Sequence, residues 1–314
     1  MAYLRTAGPA ADPATRLNWG LMAISCAVVL IVTLLLLWGI WRRRPQLQLD
    51  AQGRLPVLPA RGGMQWIYIG VTLTGVVLLA TTVWTVLTLA AVAAPPRKPA
   101  VEIEVVAHQW WWELRYKGES PSQTLLSANE IHIPAGEPVL LKLASDDVIH
   151  SFWIPRLAGK TDIIPGQVNH AWLQADAPGR YRGQCGEYCG AQHAHMALYV
   201  VAQDKADFDR WRQQQMQGAR LDQGQAVRGM AVFMARCAIC HTVRGTGSFG
   251  RTGPDLTHLM SRATIAGGIL PNNTGALHGW VADAQAVKPG AHMPAMHLSP
   301  QELHEVVAWL QTLE

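Results

Sequence analysis

Disulfides, charge and acidic residues are scarce in this chain, each in a way that narrows what it can be. It has five cysteines in 314 residues: the close pairs Cys185/Cys189 and Cys237/Cys240, and Cys26 alone, which is no disulfide framework. With 49% apolar residues it is not a disordered chain either, and its length suffices for two or three domains. Charge is absent from Leu21 to Ile40 and again from Trp66 to Ala94. Each run reaches the roughly 20 residues a helix needs to cross a bilayer. The first is too long for a cleaved leader and ends in no Ala-x-Ala-type site, so the two read as a transmembrane hairpin. Cys26 is then an ordinary membrane-buried cysteine.

Basic residues are unevenly placed. Arg42, Arg43, Arg44, Arg54 and Arg61 fall on the short connection between the apolar runs, which puts that connection in the cytoplasm and both termini outside. The expected plan is a tail over 1–20, spans over 21–41 and 66–94 joined by the loop 42–65, a β domain over 100–203, a linker over 204–224 and a helical domain over 225–314. Pro95-Pro96 ends the second helix. From Val101 the pattern becomes short alternating runs: 101–106, 130–134, 138–143, 168–173 and 197–201. Broken by Pro, Gly and Asp, these predict an antiparallel sandwich. Near the C-terminus Ser299 and Glu302 form a capping-box signature ahead of an amphipathic run.

The densest chemistry lies in Cys185-Gly-Glu-Tyr-Cys189-Gly-Ala-Gln-His193-Ala-His-Met196. Soft sulfur and imidazole donors within reach of one point suit copper. A single-copper site needs one Cys, and this loop has two, so the thiolates can bridge two ions. Each ion is capped by one His, with Met196 and a backbone carbonyl as weak axial donors. The missing His comes from an earlier strand, and His150 follows one. The alternative, a structural zinc cage of two Cys and two His, has no use for the methionine.

With Asp147-Val-Ile-His150-Ser upstream, this loop resembles the dinuclear copper (CuA) centre of subunit II of the haem-copper cytochrome c oxidases. The resemblance implies a Greek-key cupredoxin-type barrel whose last two strands flank the loop. The implied ligands are His150, Cys185, Glu187 through its backbone carbonyl, Cys189, His193 and Met196. It also implies a magnesium or manganese ion at the Glu187 carboxylate, at the boundary with subunit I. His195 matches no ligand position and reads as a surface residue.

Cys237-Ala-Ile-Cys240-His241 is the c-type haem attachment signature, in which both thiols add to haem vinyl groups and the adjacent His reaches the iron. Gly253-Pro254 and the Gly290-Ala-His292-Met293-Pro294-Ala-Met296 stretch follow in the order of a class I cytochrome c, which the segment resembles. That likeness implies Met293 as sixth ligand, with His292 and Met296 as rivals, and the Pro254 carbonyl near His241. Methionine ligation raises the iron potential, as suits an electron carrier. Covalent haem attachment takes place outside the cytoplasm, in agreement with the arginine-derived topology.

His108-Gln109-Trp110-Trp111-Trp112-Glu113 opens the β domain. Side chains alternate along a strand, so three adjacent Trp cannot all face one core and at least one should be exposed or at an interface. A membrane-interface belt is one home for Trp111 and Trp112. The resemblance makes Trp110 the point where electrons arrive, here from the haem of the same polypeptide. Residues 101–203 carry seven basic and eleven acidic side chains, a balance that attracts a basic carrier. No acid lies between residues 55 and 75, where many subunit II sequences have a Glu that helps proton uptake.

The expectation is a multidomain membrane protein: a two-helix transmembrane hairpin, an all-β cupredoxin-type sandwich, then an all-α class I cytochrome c domain. It would be subunit II of a bacterial cytochrome c oxidase, multi-pass in the inner membrane with its copper and haem domains periplasmic. Its partners would be subunit I, subunit III, a soluble cytochrome c or similar donor and the bilayer, with no nucleic acid. Oxygen would be reduced to water in subunit I. Alternatives are a copper-containing nitric oxide reductase subunit and a membrane-tethered carrier without an enzyme partner. A quinol-oxidase subunit is disfavoured, because its relatives lack the copper ligands present here.

Overall fold

The computed structural model describes residues 4–42, 53, 63–118, 120, 123–220 and 226–314. Two compact units result, one of residues 13–93 and one of residues 1–12 with 94–314. The first unit is made of α1 (Asp12–Trp41) and α2 (Gly63–Ala93), both long and apolar enough to cross a membrane. They expose their large apolar side chains, Val29, Leu36, Leu79 and Val71 among them, a surface that needs apolar surroundings. Arg43, Arg44, Arg54 and Arg61 lie outside the described residues.

The helix α1 begins well ahead of the apolar run that marked the span, where the sequence predicts a tail to residue 20. Asp12 and Pro13 supply the reason, an acid and a proline being favoured in a first helical turn. Before it, Ala7 N–H donates to the Arg156 carbonyl at 2.8 Å, and Ala10 bridges Ala158.

In the second unit, ten strands form a sandwich: β1 (Val101–His108), β2 (Trp111–Tyr116), β3 (Leu125–Ala128), β4 (Glu130–Pro134), β5 (Val139–Ser145), β6 (His150–Trp153), β7 (Thr161–Ile163), β8 (Asn169–Leu173), β9 (Gly179–Cys185) and β10 (Ala197–Gln203). One sheet runs β3-β2-β1-β5-β8, the other β4-β10-β9-β6-β7. Alternate residues of β1, β2 and β5 turn inward, so Ile103, Val105, Leu114, Leu141 and Leu143 are wholly buried. The pairs β1/β5 and β10/β4 are parallel, a departure from the all-antiparallel expectation. In-out alternation reports which face is buried and carries no information on strand direction.

The helix α3 (Lys205–Gln215) buries Phe208 and Trp211 in the sandwich core. The first half of the expected linker therefore belongs to the sandwich, while residues 221–225 lie outside those described.

The C-terminal domain contains α4 (Ala226–Arg236), α5 (Thr274–Ala282), α6 (Ala284–Val287) and α7 (Pro300–Leu310). Two short β pairs, 242–243 with 248–249 and 264–265 with 270–271, add to these helices. Phe233 of α4 meets Trp309 of α7 with ring centroids 4.7 Å apart. The helices close because Gly229 has no side chain, since a Cβ there would sit 2.1 Å from the Glu305 carbonyl oxygen. At the start of α7, Ser299 and Glu302 form the expected capping box, a cap that stabilises by about 1 kcal/mol.

Candidate copper and haem centres

Strand register builds the first site. Strand β6 starts at His150, β9 ends at Cys185, and their pairing sets Phe152 opposite Cys185. The two ends meet, and the loop from 186 to 196 returns to β10. His150 Nδ1 lies 3.8 Å from Cys185 Sγ, His193 Nδ1 lies 3.6 Å from Cys189 Sγ, and Met196 Sδ lies 3.8 Å from Cys189 Sγ. The Cys185 thiol also donates to the Glu187 carbonyl at 3.2 Å. His150, Cys185 and Cys189 keep their donor atoms within 4.8 Å of one another, all buried. This donor set of two sulfurs, two imidazoles, a thioether and a carbonyl fits a dinuclear copper centre.

Local electrostatics favour metal binding. Hydrogen bonding between the thiols pushes Cys185 down and Cys189 up, so one thiolate, the metal-binding form, is available at once. His150 Nε2 lies 2.8 Å from Asp147 Oδ1, and Asp147 Oδ2 accepts from Gln109 N–H at 2.6 Å. Burial pushes Asp147 up, but its bonds to His150, Val148 and Gln109 outweigh it and hold it below the usual range. A carboxylate behind an imidazole fixes the ring's orientation and tautomer. In the loop, Gln184 Nε2 donates to the His193 carbonyl at 3.0 Å. Gly190 takes φ +112, where other residues are strained, and a Cβ there would lie 2.9 Å from Gln109 Nε2.

The Glu187 carboxylate is exposed, with Lys160 Nζ at 3.6 Å. His195 is exposed, its Nδ1 2.7 Å from Gln192 Oε1.

The second site is a cavity of about 290 Å³ in the C-terminal domain. Cys237, Cys240 and His241, directly after α4, line it, and so do His292, Met293 and Met296. Leu256, Leu259, Ile265, Leu277 and Leu310 line the interior, an apolar chamber of the kind a haem fills. His241 Nδ1 is 2.8 Å from the Pro254 carbonyl, as the likeness to class I cytochromes c implies, and burial pushes the imidazole down, which keeps it in the ligating neutral form. A Cβ on Gly253 would lie 2.6 Å from His241 Cε1, so the ring occupies space that only glycine leaves open. Gln285 Nε2 donates to the carbonyls of Ala291 and Met293, both at 2.7 Å, and steadies the methionine loop.

The three tryptophans separate. Trp112 is fully buried in the sandwich, edge-on to Phe152 at 5.8 Å, which removes it from any membrane belt. Trp111 stacks on His108 at 4.5 Å and, with Trp110, lines the C-terminal cavity. Trp110 is only 7% exposed, and its Nε1 donates to the Cys189 carbonyl at 2.9 Å. None of the three is left exposed: Trp110 joins the buried cluster of the sandwich and, like Trp111, also lines the C-terminal cavity. Asp147, Gln109, Gln285 and Lys288 escaped sequence reasoning. Lys288, the lone lysine after residue 205, stands out there only by its apolar neighbours.

Comparison with known proteins agrees with this geometry. Residues 117–203 match the family profile described as the periplasmic domain of cytochrome c oxidase subunit II, and residues 226–314 match that of cytochrome c. The chain therefore joins a subunit II periplasmic domain to a cytochrome c domain. Curated relatives named cytochrome c oxidase subunit 2 come from Alkalihalophilus pseudofirmus (37% identical over 221 residues, 68% of this chain and 61% of the relative) and Bacillus sp. strain PS3 (33% over 231 residues, 69% and 63%). The chain thus spans about three fifths of their length. Among solved structures, the periplasmic domain of subunit II of Bradyrhizobium japonicum cytochrome oxidase is 26% identical, at TM-score 0.35, over 38% of this chain and 94% of that one. Copper-loop residues His150, Cys185, Cys189, His193 and Met196 all lie within the subunit II match, and the Cys-x-x-Cys-His signature lies within the cytochrome c match.

Proposed function

We propose that this chain is the electron-accepting subunit II of a bacterial respiratory oxidase. Its cytochrome c domain takes electrons from a soluble cytochrome c or similar donor. Its subunit II domain delivers them to subunit I, where oxygen is reduced to water. When bound, a covalent haem c and a dinuclear copper centre supply reversible one-electron chemistry. The chain's own residues hold those groups and exclude water. Cys237 and Cys240 tether the haem, with His241 and Met293 on the iron. His150, Cys185, Glu187 O, Cys189, His193 and Met196 hold copper, and the Glu187 carboxylate reaches a magnesium or manganese ion at the subunit I boundary. Burial of His150, Cys185, Cys189 and Met196 keeps the copper donors dry and fixed, which limits rearrangement on electron gain.

One observation carries this reading: Trp110 lines the haem cavity and bonds the carbonyl of a copper-loop cysteine, so the two sites share a single indole. The apolar helices anchor the chain in the inner membrane with two passes, and the arginine-rich connection puts both redox domains on the periplasmic side.

Purification from native membranes in mild detergent tests the function. Haem a signals and cyanide-sensitive oxygen uptake that copurify with haem c support it, together with subunits I and III. Nitric oxide consumption without oxygen uptake would assign the chain to a reductase instead, and a chain that migrates alone with no oxygen uptake would make it a tethered carrier.

A further inference from the structure

Lys288, at the end of α6, is 2% exposed. Its Nζ donates to the Trp110 carbonyl at 2.6 Å and to the Ala266 carbonyl at 3.1 Å, one acceptor in each domain. No carboxylate pairs with it among the described residues. A buried amine with no carboxylate partner is costly, and the two carbonyls help make this position tolerable. The surroundings are shaped to it. Gly267 takes φ +74, and a Cβ there would lie 2.5 Å from Lys288 Nζ and 2.9 Å from the Trp110 carbonyl oxygen. The next residue, Pro289, accepts from Gln192 Nε2 at 2.8 Å, and Gly290 faces the Trp110 ring. Ala197 N–H donates to the Gly267 carbonyl at 3.0 Å, directly after the copper loop.

Building on the functional reading above, we propose that Lys288 is the positioning strut that locks the cytochrome c domain onto Trp110 and the copper loop. The haem-to-copper junction is then permanently internal. A separate carrier protein cannot touch Trp110, which is covered, and must deliver its electrons to the cytochrome c domain. This follows from which groups Lys288 joins: a backbone carbonyl at the shared indole on one side, and the loop that walls the haem cavity on the other.

The test compares the full-length chain with Lys288→Met, which keeps an unbranched side chain one atom shorter and removes its donor. Hydrogen exchange is followed at the Ala197 amide, across the junction, and at Leu141, in the sandwich core. The expected result is exchange at Ala197 faster by about tenfold or more, unchanged exchange at Leu141, and slower haem-to-copper electron transfer after photoreduction with the haem spectrum intact. Exchange at Ala197 within about twofold of the unsubstituted chain would overturn the proposal. If Lys288→Met does not fold, Lys288→Leu, which also removes the donor, carries the same test: faster exchange at Ala197 supports the strut and exchange within about twofold of the unsubstituted chain overturns it. Exchange reads the junction whether or not the centres are loaded, so a chain without copper would sink the functional reading and leave this one to its own result.

Discussion

Trp110 Nε1 and the Cys189 carbonyl oxygen lie 2.9 Å apart, which ties an indole lining the C-terminal cavity to the backbone of the cysteine loop. Beyond that bond the ring packs in the sandwich core and close to Gly190 and Gly290. Trp110→Phe removes the donor and part of the aromatic surface. Electron transfer from the haem to the copper centre should slow by about tenfold or more, while the copper spectrum stays as it is. Stopped-flow absorbance at the haem band checks this, and an unaltered rate would remove Trp110 from the path.

Asp147→Asn keeps the shape of the side chain and removes its charge. The His150 ring loses the carboxylate that orients it, and copper affinity should fall about 10- to 100-fold, as is usual when such a supporting acid is lost. Competition with a copper chelator measures the change, and the haem c spectrum serves as the internal control.

Gly253→Ala places a methyl where His241 now lies, 2.6 Å from Cε1. The imidazole must move off the cavity. Haem attachment should drop, or the haem should become high-spin, and both are read from the reduced spectrum and from haem staining of a denaturing gel. A normal low-spin spectrum would show that the ring has room to spare.

Stability should fall as the pH is lowered. Burial pushes His132 down to about 4, so the folded chain binds its proton later than the unfolded chain, whose histidine titrates near the usual 6.5. Between about pH 6.5 and 4 the unfolded state therefore takes up a proton that the folded state does not, at a cost of about 1–3 kcal/mol to folding. Glu113 adds to this at lower pH. Burial alone would raise it, but His108 and Arg115 bring it to about 2, and the stability it contributes above pH 4.5 is lost as pH falls toward 2. Melting of the full chain in detergent across pH 4–7 should show the slope, and His132→Gln should flatten its upper part.

How much was legible in the sequence follows the distance between partners. Cys185, Cys189, His193 and Met196 lie within one loop, and Cys237, Cys240 and His241 within one turn, so their spacing pointed to metal and haem chemistry, while Met293 came from the family resemblance. The strands of the sandwich that show strict alternation were likewise readable, as was the Ser299 cap. Lys288 meets Trp110 across 178 positions, and no local pattern encodes that meeting. Asp147 stood in the motif with no role of its own, and only the fold sets its carboxylate 2.8 Å from His150 Nε2. Trp112 had the composition of an interface residue, and only its register in β2 puts it in the core beside Phe152. The burial of Phe208 and Trp211 turned an apparent linker into part of the sandwich for the same reason.

On this reading one chain holds both a copper pair and a covalent haem. Metal and haem analysis of the protein purified from native membranes tests it most directly, alongside Cys189→Ser. The expected result is about two copper ions and one haem per chain. A near-infrared mixed-valence band that disappears in Cys189→Ser while haem c stays is also expected. A single zinc ion in place of copper, or a near-infrared band that survives the loss of Cys189, would contradict the reading.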